Sequence, residues 1–96
     1  YNAVIKKLSL KNFSANHIFG TVQIYKIAGG LDQNVDTNYT LINTVSYDTT
    51  AYQSNLIDVA SSTNINAGDS ITFVIKEMSG SGTKIIGNAL VMYDIT

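Results

Sequence analysis

The chain contains no cysteine, no proline, no tryptophan and no arginine among its 96 residues. The absence of cysteine excludes disulfides and thiolate metal sites. Charged residues make up 14% of the chain, against about 25% in a typical soluble domain, and all the cationic residues are lysines. Nucleic-acid binding needs clustered cationic side chains, and a membrane helix needs an apolar run of roughly 20 residues. We therefore expect neither a nucleic-acid partner nor membrane insertion.

Side chains for acid–base chemistry are equally scarce. The chain has one histidine, His17, and one glutamate, Glu77. A zinc site needs several such ligands, and glycoside hydrolysis needs two carboxylates at a set separation. No nucleophile elbow, phosphate loop or dinucleotide motif is present. We therefore predict a protein that is not an enzyme and binds no cofactor.

Neutral polar residues and strand-like alternation dominate what is present. The chain has nine Ser, ten Thr and ten Asn. This composition is typical of the exposed sheet faces of extracellular and virion proteins. Period-two alternation predicts strands over residues 7–11, 21–27, 39–45, 54–59, 70–76 and 84–94, with residues 47–53 as a turn or loop. No segment has a helical stripe. We predict one domain over residues 1–96, forming the C-terminal part of a longer polypeptide. The strand pattern predicts an all-β, antiparallel fold of six to eight strands without substantial helix, arranged as a β-sandwich or a small barrel.

Several predicted strands carry adjacent apolar residues, for example Leu56 beside Ile57 and Leu90 beside Val91. Successive side chains in a strand point to opposite faces, so such pairs place apolar groups on both sides of a sheet. A two-layer sandwich covers only one side of each sheet. We therefore predict a homo-oligomer in which another copy covers the remaining apolar groups.

The aromatic residues include six tyrosines. Tyrosine is a stiff anchor with a polar tip and is common in recognition patches. Tyr39, Tyr47, Asp48 and Tyr52 are predicted to form a ligand-binding patch if residues 47–53 fold back beside the third strand. The alternative interpretation is that these tyrosines cover the edges of the sandwich.

A polar segment between the second and third predicted strands is a candidate for metal binding. Asp32, Asn34 and Asp36 match the first, third and fifth ligand positions of a calcium loop. The glycine expected next is Thr37, and the closing glutamate is Asn43. A helix-flanked calcium hand is thereby excluded. A polar loop tip is the preferred interpretation, with no bound metal, and an irregular calcium loop is the alternative.

Two stretches resemble parts of known head domains. Residues 65–75 contain a hydrophobic residue, a Gly68–Asp69 turn and an alternating strand. This order resembles an element of jelly-roll domains, found in trimeric heads of the C1q and tumour-necrosis-factor type and in head domains of bacteriophage fibres and tail spikes. Residues 87–93 are similar to the last, trimer-buried strand of such heads. The resemblance implies a jelly-roll-like β-sandwich that assembles as a homotrimer, with a dimer second. Its subunit interface would contain one face of this strand, either Ala89, Val91 and Tyr93 or their opposite-face neighbours Leu90 and Met92.

The resemblance and the composition together lead to one expected function and two alternatives. We expect a viral structural protein, the head domain of a phage fibre, located at a virion surface or outside the cell. It would mediate oligomerisation and attachment to a host-surface glycan or protein, gaining strength from several weak sites on one particle. The first alternative is a monomeric carbohydrate-binding module from a multidomain enzyme. The second is a purely structural virion or surface-layer domain.

Overall fold

Strands make up nearly all the regular structure of the chain. A computed structural model describes residues 2–79 and 85–94, excluding the side chains of residues 85–89 and 92–94. Within this part of the chain, no helix is long and apolar enough to cross a membrane. The seven strands are β1 (Asn2–Asn12), β2 (Ile18–Ile27), β3 (Tyr39–Thr49), β4 (Ser54–Asp58), β5 (Ile65–Asn66), β6 (Ser70–Glu77) and β7 (Ile85–Asp94), with one 3-10 turn at Asp36–Asn38. The predicted all-β class is confirmed.

The strands form two antiparallel sheets. In the first sheet, β7 pairs along the whole length of β1, so β4 and β5 share the opposite edge of β1. In the second sheet, β2 lies between β3 and β6. The first strand thus pairs with the last and the second with the sixth, a nested order like that of a jelly roll. The predicted sandwich is confirmed, although the two-residue β5 was absent from the prediction.

The core lies between the two sheets and follows from the alternation of apolar residues. On β1, Leu8 and Leu10 point inward, while Lys7, Ser9 and Lys11 between and beside them point outward. The other strands contribute apolar residues at the same spacing. The buried cluster contains Ile5, Leu8, Leu10, Val22, Ile24, Val45, Tyr47 and Val59.

Adjacent apolar residues divide between the core and the outer faces, as predicted. Ile57 and Val91 pack against the core. Their neighbours Leu56 and Leu90 face outward from the first sheet and are 61% and 54% exposed. The outward-facing apolar residues of the second sheet include Leu41 and Val74. Both outer faces therefore carry large apolar side chains.

Strand β3 is longer than the prediction. Residues 47–49 were expected to be loop, and this was wrong, because Val45, Tyr47 and Thr49 all alternate into the interior. The Tyr47 hydroxyl donates a hydrogen bond to the Lys76 carbonyl at 3.1 Å, and the Thr49 hydroxyl donates to the Ile18 carbonyl at 3.2 Å. Because these inward-facing residues carry hydroxyl groups, the hydrophobicity pattern of the sequence does not reveal that this part of the chain is a strand facing the core.

Asn12 joins two loops at one end of the sandwich and is 2% exposed. Its Nδ2 donates to the carbonyl oxygens of Asn16 at 2.8 Å, Thr50 at 3.2 Å and Thr49 at 3.5 Å. Its Oδ1 accepts from the Ser14 amide at 2.8 Å. One buried side chain thereby holds the β1–β2 connection against the end of β3.

Two glycines meet specific backbone requirements. Gly68 has φ +90° in the turn before β6, where the Asp69 amide donates to the Asn66 carbonyl at 3.0 Å. This confirms the predicted turn. At Gly20, a Cβ atom would lie 1.9 Å from the Lys76 carbonyl oxygen and 2.7 Å from the Tyr47 hydroxyl. Position 20 therefore has no room for a side chain.

Candidate functional site

A surface pocket of about 450 Å3 lies on the outer face of the second sheet. We call it the tyrosine pocket. Tyr25 faces outward because its neighbour Ile24 is in the core, and Thr72 pairs with Tyr25 across β2 and β6. The pocket is lined by Tyr25, Gln33, Asp36, Tyr39, Thr72 and Val74. Its volume falls within the range of about 300–1,000 Å3 typical of small-ligand sites.

Two perpendicular tyrosine rings form one corner of this pocket. The centroids of Tyr25 and Tyr39 are 6.4 Å apart, with an angle of 86° between the ring planes. The Tyr25 hydroxyl donates to Gln23 Oε1 at 3.1 Å, and the Tyr39 hydroxyl donates to the Gln33 carbonyl at 2.9 Å. These bonds fix both rings in place and engage both hydroxyl donors. The aromatic surfaces are therefore what the tyrosines offer to a ligand.

The loop between β2 and β3 supplies the polar side of the pocket. Asp32 orders this loop, because its Oδ1 accepts from the Asn34 amide and its carbonyl accepts from Asn38 Nδ2, both at 2.9 Å. Asp36 begins the 3-10 turn that follows and lines the pocket together with Gln33. The loop thus brings one carboxylate and one amide to the edge of the aromatic corner.

The calcium-loop alternative gains no further ligands from the fold. Asp32 and Asn34 are joined to each other in the loop, whereas Asp36 faces the tyrosine pocket. Across residues 2–79 and 85–94, there is no group of three or more histidine, cysteine, aspartate or glutamate residues that could hold a metal ion.

Asp36 gives the pocket its charge. None of the described lysines forms an ion pair with it. The Lys26 ammonium instead donates to the Asn64 carbonyl at 2.6 Å. Lys76 lies four residues beyond Thr72 on β6, about 13 Å along the strand at roughly 3.3 Å per residue. Among the described residues, the lining of the tyrosine pocket therefore combines one carboxylate with no cationic side chain.

The structure does not bring the predicted ligand-binding patch together. Tyr39 begins β3, and Tyr52 follows the end of that strand. Tyr47 and Asp48 lie about 26–30 Å along the strand from Tyr39 at roughly 3.3 Å per residue. Tyr47 is 2% exposed and belongs to the core, whereas Tyr52 is 71% exposed. Only Tyr39 of the four lines the tyrosine pocket, because residues 47–49 continue β3 and do not fold back beside it.

Asp48 belongs to a different surface feature. It contacts Nε2 of His17, whose ring lies 5.8 Å from that of Phe19. A second depression of about 480 Å3 lies at the other end of the second sheet, and its lining includes Phe19, Met78 and two residues of the predicted patch, Tyr47 and Asp48. The pair of His17 and Asp48 combines an imidazole with a carboxylate at the surface.

The surroundings of the Tyr47 phenol shift its pKa. Burial of its phenol raises its pKa above the ordinary value, and the nearby Glu77 carboxylate raises the pKa further. Because the hydroxyl donates to the Lys76 carbonyl, the neutral phenol is the form that fits this site. Tyr47 therefore has a structural role between β3 and β6.

The predicted subunit-interface residues all lie on β7, which forms an edge of the first sheet among the described strands. Leu90 faces outward opposite Lys7, while Val91 packs against the core. The side chains of Ala89, Met92 and Tyr93 lie outside the described residues. The available geometry thus assigns an outer-face position to Leu90 and an interior position to Val91.

The sequence predicted Tyr39 in a ligand-binding patch, and the structure places it in the tyrosine pocket. The prediction did not join it to the other lining residues Tyr25, Gln33, Thr72 and Val74. Outward alternation marks Tyr25 and Thr72 as exposed candidates, but only the pairing of β2 with β6 makes them neighbours. Comparisons with models of protein families, with curated proteins and with solved structures found no match.

Proposed function

We propose that this chain is a non-enzymatic attachment domain that binds a glycan on a host surface through the tyrosine pocket. The observation that carries this proposal is the meeting of Tyr25 and Tyr39 with Gln33, Asp36 and Thr72 around one open pocket. The proposal places the domain on a virion fibre or spike, at the virion surface or outside the cell.

The chemistry of the pocket suits a saccharide. Sugar rings have apolar C–H faces that pack on aromatic side chains and hydroxyl groups that pair with a few polar groups at the rim. Tyr25 and Tyr39 supply the aromatic surface. Asp36 and the Gln33 side chain supply acceptors and donors, and Thr72 lines the wall on β6. The pocket is open to the surface, which suits the end of a polysaccharide chain.

The other sheet is proposed to assemble copies of the domain. Leu56 and Leu90 flank β1 on the outer face of the first sheet. On the same sheet, the Lys7 ammonium lies 2.8 Å from an Asp58 carboxylate oxygen, so this lysine is electrostatically balanced. Packing copies through this face, as a trimer or secondarily a dimer, leaves every tyrosine pocket facing outward. Several weak sites then act together on a repetitive surface.

Glycan binding is tested with a glycan array followed by titration of the best saccharide into the whole domain. Tyr39→Ala removes one ring of the pocket, and Tyr52→Ala removes an exposed ring after the other end of β3. We expect Tyr39→Ala to weaken binding about fivefold or more, since aromatic contacts contribute roughly 1–3 kcal/mol when truncated. Tyr52→Ala should bind like the parent. If Tyr52→Ala lost binding while Tyr39→Ala bound fully, the glycan site would lie outside the tyrosine pocket.

Assembly is tested by light scattering on the parent and on charged variants of the outer faces. Leu56→Lys and Leu90→Lys should shift the oligomer to monomer, because each places a charge in the proposed interface. Leu41→Lys, on the outer face of the second sheet, is the matched control and should leave the oligomer intact. A parent chain that is monomeric but binds glycans would support the carbohydrate-binding-module alternative. An oligomer that binds no glycan would support the purely structural one.

A further inference from the structure

The tyrosine pocket lacks free donors at the positions where tyrosines commonly contact sugar hydroxyls. Both phenol hydrogens are used within the protein, by Gln23 Oε1 for Tyr25 and by the Gln33 carbonyl for Tyr39. What remains at the corner is the electron-rich surface of two rings set at 86°. A ring face attracts positive charge because its quadrupole is negative there.

The negative charge in the pocket lining also favours a positively charged ligand. Asp36 is the one carboxylate among the lining residues that the structure describes, and it forms no ion pair with a described lysine. A carboxylate beside a low-dielectric aromatic wall repels anions and attracts cations. Phosphorylated, sulfated or carboxylated saccharides are therefore disfavoured in this pocket.

From these two observations we infer that the group bound in the pocket, at the corner formed by Tyr25 and Tyr39, carries an ammonium, an inference that rests on the proposed glycan-binding function. The ammonium packs against the tyrosine faces while Asp36 neutralises its charge. Two kinds of host-surface decoration have this chemistry: a protonated amino sugar and a quaternary ammonium of the choline type. Gln33 and Thr72 are positioned to contact the remainder of the ligand.

The experiment titrates small probes into the whole domain and follows the backbone amide signals by NMR. Choline is compared with 3,3-dimethylbutanol, which has the same shape but no charge, and glucosamine is compared with neutral N-acetylglucosamine. Asp36→Asn removes the charge in the pocket. Asp32→Asn removes an equal charge from the same loop outside the lining, and its side-chain oxygen can still accept from the Asn34 amide.

We expect at least one charged probe to bind with millimolar affinity and to shift signals around Tyr25 and Tyr39. Its neutral analogue should bind about fivefold to thirtyfold more weakly, the combined effect of two exposed cation–π contacts of roughly twofold to fivefold each. Asp36→Asn should lose affinity by a similar factor, whereas Asp32→Asn should remain within about twofold, since solvent screens distant charges. Stronger binding of choline or of glucosamine identifies which ammonium the pocket selects.

The outcomes separate this inference from the function on which it rests. Equal binding of a charged probe and its neutral analogue, or no effect of Asp36→Asn, overturns the ammonium assignment while leaving glycan binding at the pocket in place. Binding of N-acetylglucosamine but not glucosamine has the same meaning. If the glycan array and all four probes fail to perturb the pocket, both proposals are overturned.

Discussion

Replacing Asn12 with alanine should destabilise the domain more than most polar substitutions. Asn12 is buried, and its side-chain nitrogen donates hydrogen bonds to the carbonyl oxygens of Asn16, Thr49 and Thr50. Its Oδ1 accepts a hydrogen bond from the Ser14 amide. Each lost hydrogen bond costs about 1 kcal/mol net, and a buried group left without a partner costs about 1–3 kcal/mol. Allowing for partial relaxation and for water entering at the loop ends, we expect a loss of about 2–4 kcal/mol.

This loss is large beside the total stability of a small domain, about 5–15 kcal/mol. It corresponds to a fall in melting temperature of roughly 10–30 °C at about 4–8 °C per kcal/mol. The assay is urea unfolding followed by circular dichroism. Asn34→Ala, which changes an exposed loop side chain, is the control and should stay within about 0.5 kcal/mol of the parent. An Asn12→Ala variant that also stays within that range, with an unchanged m-value, would refute the reasoning.

Asn12→Asp separates hydrogen-bond donation from side-chain shape. The aspartate can still accept from the Ser14 amide, but its second oxygen faces the carbonyl oxygens that the asparagine amide binds. In the fold this environment favours the protonated acid and raises its pKa above the usual value of about 3.9. The variant should therefore be most stable below pH ~4 and lose stability as the pH rises through the raised folded-state pKa. A variant whose stability did not change between pH 3.5 and 7 would show that the amide donor is unimportant.

Two further substitutions test the contacts between β2, β3 and β6. Gly20→Ala would place a methyl group 1.9 Å from the Lys76 carbonyl oxygen and 2.7 Å from the Tyr47 hydroxyl. The strands would have to separate, which should lower the free energy of unfolding, measured by urea titration, by more than about 3 kcal/mol. The double variant Gly20→Ala/Tyr47→Phe should recover little of this stability because the backbone clash remains. Because the folded-state pKa of Tyr47 is raised, its contribution is fully present below pH ~10 and is lost as the pH rises through the raised value. Tyr47→Phe should lower the stability by about 1 kcal/mol at pH 7 and should remove part of the loss of stability at alkaline pH. If the variant and the parent lost stability identically at alkaline pH, ionisation of Tyr47 would not be the cause of that loss.

The fold class was predictable because alternation is a local property of the chain. Alternation with polar neighbours predicts, within each strand, which apolar residues face inward. The structure buries four of these residues, Leu8 and Leu10 on β1 and Val22 and Ile24 on β2. The end of β3 was not predictable in the same way. Thr49 reaches the interior through a hydroxyl that donates to a backbone carbonyl, and hydropathy alone does not record such a partner.

The candidate site was only partly predictable because it depends on register. Tyr39 stood out as an aromatic residue beside a polar loop, and Asp36 stood out for its spacing from Asp32. Tyr25 joins them because β2 and β3 pair with a register shift between Ile24 and Tyr25. That shift, like the pairing of β2 with a strand some 45 residues later in the chain, is set by tertiary packing and has no local sequence signal.

The pairing of the first strand with the last has a consequence for how the domain folds. Strand β1 borders β7 along its whole length, so the first sheet stays incomplete until nearly the entire chain is available. The hairpin of β2 and β3 can form early, whereas closure of the sandwich waits for contacts between distant parts of the chain. Such non-local topologies fold in milliseconds to seconds, more slowly than helical bundles of the same size. During synthesis, β1 would leave the ribosome well before its longest partner, with one edge exposed to association with neighbouring nascent chains.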